Sequence, residues 1–117
     1  MTIKEKIEND KLYKLLLKIN KRPELFILNR DVNLLYTYIL GYRMSQHENN
    51  CSENIDIFDI NSDGGFDAYV HRKYKINTTH NWSSIIKFYN PTYGQDLDKF
   101  YELFFDYIDE CIKKNEK

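Results

Sequence analysis

The stretch 31-DVNLLYTYILGYRMS-45 decides the fold class. Val32, Leu35, Tyr36, Ile39 and Leu40 recur at i, i+3, i+4, i+7 and i+8, one face of a 3.6-residue period, and Asp31 or Asn29 can serve as the N-cap. The spacing predicts a core helix over residues 31–45. Gly41 interrupts that pattern at a cost of about 1 kcal/mol relative to alanine, so its expected task is to admit a neighbouring backbone or ring at close range.

Working outward, Thr2 and Glu5 make a capping box. Ile3, Ile7, Leu12, Leu15, Leu16 and Ile19 then continue one broad face until Pro23 ends the first helix. Lys4, Lys11, Lys14, Lys18 and Lys21 read as its solvated face, with short pairs to Glu8 and Asp10. The segment 22-RPELFIL-28 reads as an extended strap, because the residue before proline is pushed out of the helical region. On the C-terminal side, Phe66, Tyr69, Val70 and Tyr74 mark a third helix whose basic end, Arg72, Lys73 and Lys75, complements the helix dipole. Residues 77–81 are capping chemistry for a fourth helix carrying Trp82, Ile85, Ile86 and Tyr89, which Asn90-Pro91 ends. After a turn at Tyr93-Gly94, the stripe Leu97, Phe100, Tyr101, Phe104, Tyr107, Ile108 and Cys111 predicts a long amphipathic fifth helix.

The expectation is therefore an all-α fold: a single compact domain over residues 1–117, of about five helices, with an irregular segment at 46–62. One short strand pairing of that segment with the 24–28 strap is compatible with Ile55, Ile57, Phe58 and Ile60. The expected core holds Leu16, Leu35, Ile39, Val70, Trp82, Ile86, Phe100 and Phe104.

At 42% hydrophobic residues over 117 positions, the chain can bury its own core without a disulfide or a metal. Aromatic residues make up 15%, more than a minimal core needs, which leaves tyrosines for an interface. A formal net charge of −1 argues against a general nucleic-acid binder, which needs a basic face. The total hides a polarity. Residues 1–22 carry seven Lys/Arg against three acids, whereas residues 48–67 carry six acids and no Lys or Arg. Cys51 and Cys111 do not form a CxxC or disulfide pattern. The charged N-terminus has no apolar leader, and no window is a membrane span; a cytoplasmic protein with reduced thiols is the expectation.

Three constellations carry chemistry. Residues 59-DINSDGGFD-67 fit the start of an EF-hand loop, with Asp59, Asn61, Asp63 and Asp67 as oxygen donors and glycine at the sixth position. Val70 then stands where the bidentate glutamate should close the shell. The competing reading is a glycine turn entering a helix, with Asp63 as N-cap or first-turn anion. His47, Glu48, Cys51 and Glu53 match no zinc spacing and read as an exposed loop. His71 lies on the exposed side of its helix and can pair with Asp67 at i−4; joining it to His47 or His80 would need a convergence that nothing in the spacing supplies. No catalytic residue, metal or cofactor is expected, and the chain reads as a non-enzyme.

The segments RPELFIL, ILGYRMS, FDAYVHRKYKI, WSSIIKFY and DLDKFYELFFDYIDE together resemble small bacterial immunity proteins encoded beside toxins. The shared pattern is an RPxxYL-like strap, a helix ending in GY, an F-x-x-[WY]-V-x-x-x-Y helix, a W-x-x-I-I helix and a terminal aromatic helix. It covers residues 21–110, with Phe26 and Tyr69 as mild departures. The resemblance implies an inhibitor that binds the cognate toxin domain of a contact-dependent or polymorphic toxin system and covers its active site. Toxins of that kind include nucleases with basic clefts. The acid-only stretch supplies the expected partner-binding residues Glu48, Glu53, Asp56, Asp59, Asp63 and Asp67, with the acidic face of the last helix around Glu102, Asp106 and Asp109 next in line. A calcium-responsive or other protein-binding module centred on residues 59–67 is the alternative.

Overall fold

A computed structural model describes residues 1–49 and 55–116. Among these described residues six α-helices follow in order: α1 Ile3–Asn9, α2 Lys11–Lys21, α3 Val32–Glu48, α4 Gly65–Tyr74, α5 Trp82–Tyr89 and α6 Gln95–Asn115, with a 3-10 turn at Pro23–Leu25. The fold is all-α. No strand occurs among the described residues, so the pairing of 24–28 with 46–62 is not formed there. None of the helices among the described residues is long and apolar enough to cross a membrane.

Helix α6 is the spine. It lies against α1, α3, α4 and α5, and α5 also packs on α3 and α4. All eight expected core residues are buried. Their centre is an aromatic cluster: the Trp82 ring stacks on Phe58 at 5.7 Å and on Phe100 at 5.0 Å, and meets Phe66 edge-on at 5.2 Å and Tyr36 at 5.1 Å. The Tyr101 hydroxyl donates to the Leu16 carbonyl at 2.8 Å, fixing α2 on α6.

Local chemistry explains most boundaries. Thr2 and Glu5 form the expected capping box. Asp31 caps α3 through Oδ1, which accepts from Asn33 N at 2.7 Å and Leu34 N at 3.2 Å, and Asn81 caps α5 by accepting from Ser84 N at 2.9 Å.

Five expectations are corrected. The first helix is two: Asp10 is extended (φ −68°, ψ 133°), ends α1 and caps α2 by accepting from Tyr13 N at 2.9 Å. Among the described residues that makes six helices where about five were expected. The strap begins with a 3-10 turn, since proline at its first position needs no amide donor. Helix α3 runs through Glu48, so residues 46–48 belong to it and not to the irregular segment. Gly64 (φ 94°), not Asp63, occupies the N-cap position of α4. Gly41 is exposed, and a Cβ there would meet nothing within 4 Å, so it admits no close neighbour.

Gly65 is the glycine that packing demands. Its φ is +61°, and a Cβ would lie 1.9 Å from the Phe58 carbonyl oxygen. The two glycines should therefore respond oppositely to alanine. Gly41→Ala, in an exposed helix interior, should gain about 1 kcal/mol. Gly65→Ala should lose roughly 2–5 kcal/mol from left-handed strain and overpacking. Urea midpoints of the two variants measure both signs. Trp82→Ala should cost about 3–5 kcal/mol; a loss below 1 kcal/mol would contradict its place at the centre of the core.

Candidate partner-binding groove

The segment from Ile55 to Gly64 folds back over the aromatic cluster through three contacts. The Asp56 carboxylate Oδ1 accepts from Phe58 N at 2.9 Å, turning the chain so that the Phe58 ring enters the core. Phe58 O then accepts from Phe66 N at 2.8 Å. Ile60 N donates to the Tyr107 hydroxyl at 3.2 Å, which fastens the segment to α6.

Between this segment and α3 lies a groove of about 320 Å³. Tyr36, Leu40 and Arg43 of α3 form one wall, Asp56, Asp59 and Gly64 the other, and Asp67 and Trp82 close its end. A smaller cavity of about 180 Å³, lined by Asp10, His47 and Ile57 among others, shares Arg43 and Asp56 with it. Arg43 Nη2 and Asp56 Oδ2 meet at 2.7 Å between the two.

The groove gathers three of the six acids expected from the sequence. Asp56 is neutralised by Arg43. Asp67, in the first turn of α4, accepts from Trp82 N at 2.9 Å through Oδ1 and so fastens the start of α5 to α4. Asp59 makes no side-chain hydrogen bond or ion pair among the described residues, and it is exposed. The other three are placed otherwise. Asp63 turns away, accepting from Gly65 N at 3.2 Å and facing Lys114 Nζ at 3.7 Å. Glu48 ends α3 and does not line the groove. Glu53, like Cys51, lies outside the described residues.

The EF-hand-like donors diverge. Asp63 Oδ1 is engaged by Gly65 N, Asp67 Oδ1 by Trp82 N, and Asn61 Oδ1 by Asn115 Nδ2 at 2.9 Å. Among the described residues no group of three or more His, Cys, Asp or Glu could hold a metal ion. The histidines also stay apart: His47 lines the smaller cavity, and His80, just before the start of α5, lines a separate one with Ile76 and Phe88. On α6, Glu102 pairs with Lys99 at 2.7 Å and Glu110 with Lys114 at 3.3 Å, so that acidic face is interleaved with lysines.

Sequence reasoning missed the apolar side of the groove and its arginine. Leu40 belongs by its spacing to the core stripe, yet it is 47% exposed, and Met44, one turn on, is 64% exposed. Tyr36, Leu40 and Met44 follow at i, i+4 and i+8, a second stripe beside the buried one of Leu35 and Ile39. The signal was an apolar face wider than a core helix of this size can bury.

Compared with known proteins, the chain matches no family model, no curated protein and no solved structure.

His71 braces the wall that carries Asp67, and it is less exposed than its helical position suggested. Its Nδ1 lies 2.7 Å from the Asp67 carbonyl and its Nε2 3.0 Å from the Thr78 carbonyl. Two carbonyl acceptors call for two N–H donors, which only the imidazolium supplies. The Asp67 carbonyl does most to raise the His71 pKa above its ordinary value; partial burial opposes it, and the Thr78 carbonyl and the Asp67 carboxylate at 3.5 Å add to the rise. A pKa raised by folding contributes stability that is fully present below the unfolded value near 6.5 and is lost as pH rises through the folded value. Urea midpoints across that window should therefore show the stability difference between wild type and His71→Gln shrinking as pH rises. A difference independent of pH would mean that the imidazolium is not the bridging form.

Proposed function

We propose that this chain is an immunity protein that binds and neutralises a cognate toxin domain in the cytoplasm of the cell that makes both. It covers the toxin's active site, and the toxin is a nuclease whose substrate cleft is basic. The observation that carries the reading is the convergence of Asp56, Asp59 and Asp67 on one groove beside the exposed Leu40 and Met44. Protein interfaces combine an apolar contact surface with a polar rim, and segregated charge raises association rates with a partner of opposite sign. The resemblance of residues 21–110 to immunity proteins supports the same reading from the sequence side.

The test is co-expression. The C-terminal domain of a large secreted protein encoded next to this gene should kill cells that lack the chain and spare cells that carry it. Absence of such a neighbour, or killing unchanged by the chain, would remove the proposal. Reversing Asp56, Asp59 and Asp63 to lysine together should weaken toxin binding by several kcal/mol in total, mostly through slower association at low salt. The three differ in what they already touch. Asp56 and Asp63 already face Arg43 and Lys114, whereas Asp59→Lys alone should keep stability within about 0.5 kcal/mol of wild type while carrying a measurable share of the lost association rate.

A further inference from the structure

The groove between α3 and residues 55–64 is specific enough to say what enters it. We infer that it receives a basic side chain of a protein partner, arginine in first place, with the guanidinium at Asp59 and Asp67 and the aliphatic stem along Leu40 and Tyr36. The inference rests on the partner-binding reading above for its natural occupant, and on charge and shape for its chemistry.

Charge complementarity selects the sign. Three carboxylates and one cation, Arg43, line the groove, and a second cation, the His71 imidazolium, stands behind Asp67. Arg43 is held by Asp56 at 2.7 Å, and Asp67 is engaged on both oxygens, Oδ1 by Trp82 N at 2.9 Å and Oδ2 by His71 Nδ1 at 3.5 Å. Of the three, Asp59 is left without a side-chain partner among the described residues, so the groove has one carboxylate that its own residues do not answer. Its aromatic walls select the kind of cation. The Tyr36 and Trp82 rings meet at 5.1 Å with an interplanar angle of 74°, and both line the groove. The Trp82 ring is buried and already stacked on Phe58 and Phe100, so half-buried Tyr36 is the ring that borders the opening, and a planar, weakly hydrated guanidinium suits a site of ring and carboxylates better than a compact ammonium does. The ridge of Leu40 and Met44 outside the mouth gives the partner's neighbouring residues an apolar contact, so a free cation would not use the whole surface.

The experiment titrates the full ¹⁵N-labelled chain with a capped Gly-Gly-Arg-Gly-Gly peptide, and with the same peptide carrying norleucine or glutamate at the centre. The expected result is a saturable shift of the Trp82 indole and of the Leu40, Asp59 and Gly64 amides with the arginine peptide only. It should weaken at least about tenfold in Asp59→Lys and at raised salt. Leu40→Ser should weaken it while leaving the salt dependence in place. Both variants alter exposed side chains, and an unchanged amide spectrum elsewhere establishes that they are folded. Equal binding of the norleucine peptide, shifts centred on Glu102, Asp106 and Asp109, or wild-type binding by Asp59→Lys would each overturn the inference. The two proposals fail separately. A toxin domain bound equally well by Asp59→Lys and Leu40→Ser would overturn the groove assignment alone, and arginine-peptide binding without protection from any neighbouring toxin would overturn the immunity reading alone.

Discussion

The contact between Gly65 and the Phe58 carbonyl oxygen is the constraint on which the groove and the core behind it depend. Phe66 N reaches that oxygen at 2.8 Å only because Gly65 holds a positive φ and brings no Cβ. This close approach turns the 55–64 segment back onto α4 and lets Phe58 stack on Trp82. Remove it, and the segment loses its register over the core. Asp56 and Asp59 are placed by that register, and Asp67 by the helix that starts at Gly65 itself. One backbone conformation thus sets both the packing of the aromatic cluster and the spacing of the acids around the groove.

A second set of ties fixes the helices on the opposite side. Asp96 in the first turn of α6 is fully buried; its Oδ2 accepts from Val32 N at 2.9 Å and lies 3.4 Å from Lys87 Nζ. Lys87 also donates to Asp31 at 2.9 Å. Burial pushes the Asp31 carboxyl pKa up, but Lys87 and the Asn33 and Leu34 amides outweigh it and hold the value below the ordinary one. The starts of α3 and α6 and the end of α5 therefore meet at one lysine and two carboxylates. Burying such charges is costly unless they are paired, so their effect is to fix which helix ends meet more than to add stability. With α3 anchored there, its other half is held at a defined angle over the 55–64 segment.

How much of this was legible follows from which residues report locally. Caps and periodicity are local, so Thr2, Asp31 and Asn81 were readable as helix starts and the Trp82 and Phe100 stripes as core. The break at Asp10 had a signal that went unused: the apolar spacing jumps from Ile7 to Leu12, five residues where three or four are needed, beside a residue that caps well. Gly41 and Gly65 could not be told apart, because a glycine's environment is set by tertiary contacts. The acidic stretch was readable as a surface of one sign. Which of its members converge depends on the turn at Asp56 and on Gly65, so Asp63 and Glu48 were grouped with residues they do not join. Arg43 and the exposed Leu40 and Met44 were missed because a helical stripe does not announce where the core ends.

The placement of the acids also bears on how they can act. A net charge of −1 gives the chain almost no long-range attraction for a basic partner. What it has is segregation, with acids on the 55–67 side and lysines along α2. Beyond a Debye length of about 10 Å at moderate salt, only the nearest charges matter. An unpaired carboxylate at a groove mouth, backed by aromatic rings that exclude water, therefore counts for more than the total. Asp59 is exposed and Asp67 is half-exposed in its side chain, so neither incurs the full desolvation cost of a buried charge before a partner arrives. In the partner binding proposed above, their electrostatic contribution would fall in the encounter, and the apolar ridge of Leu40 and Met44 would govern how long the encounter lasts. A surface divided in that way can meet a basic cleft quickly and hold it by contacts that salt does not screen.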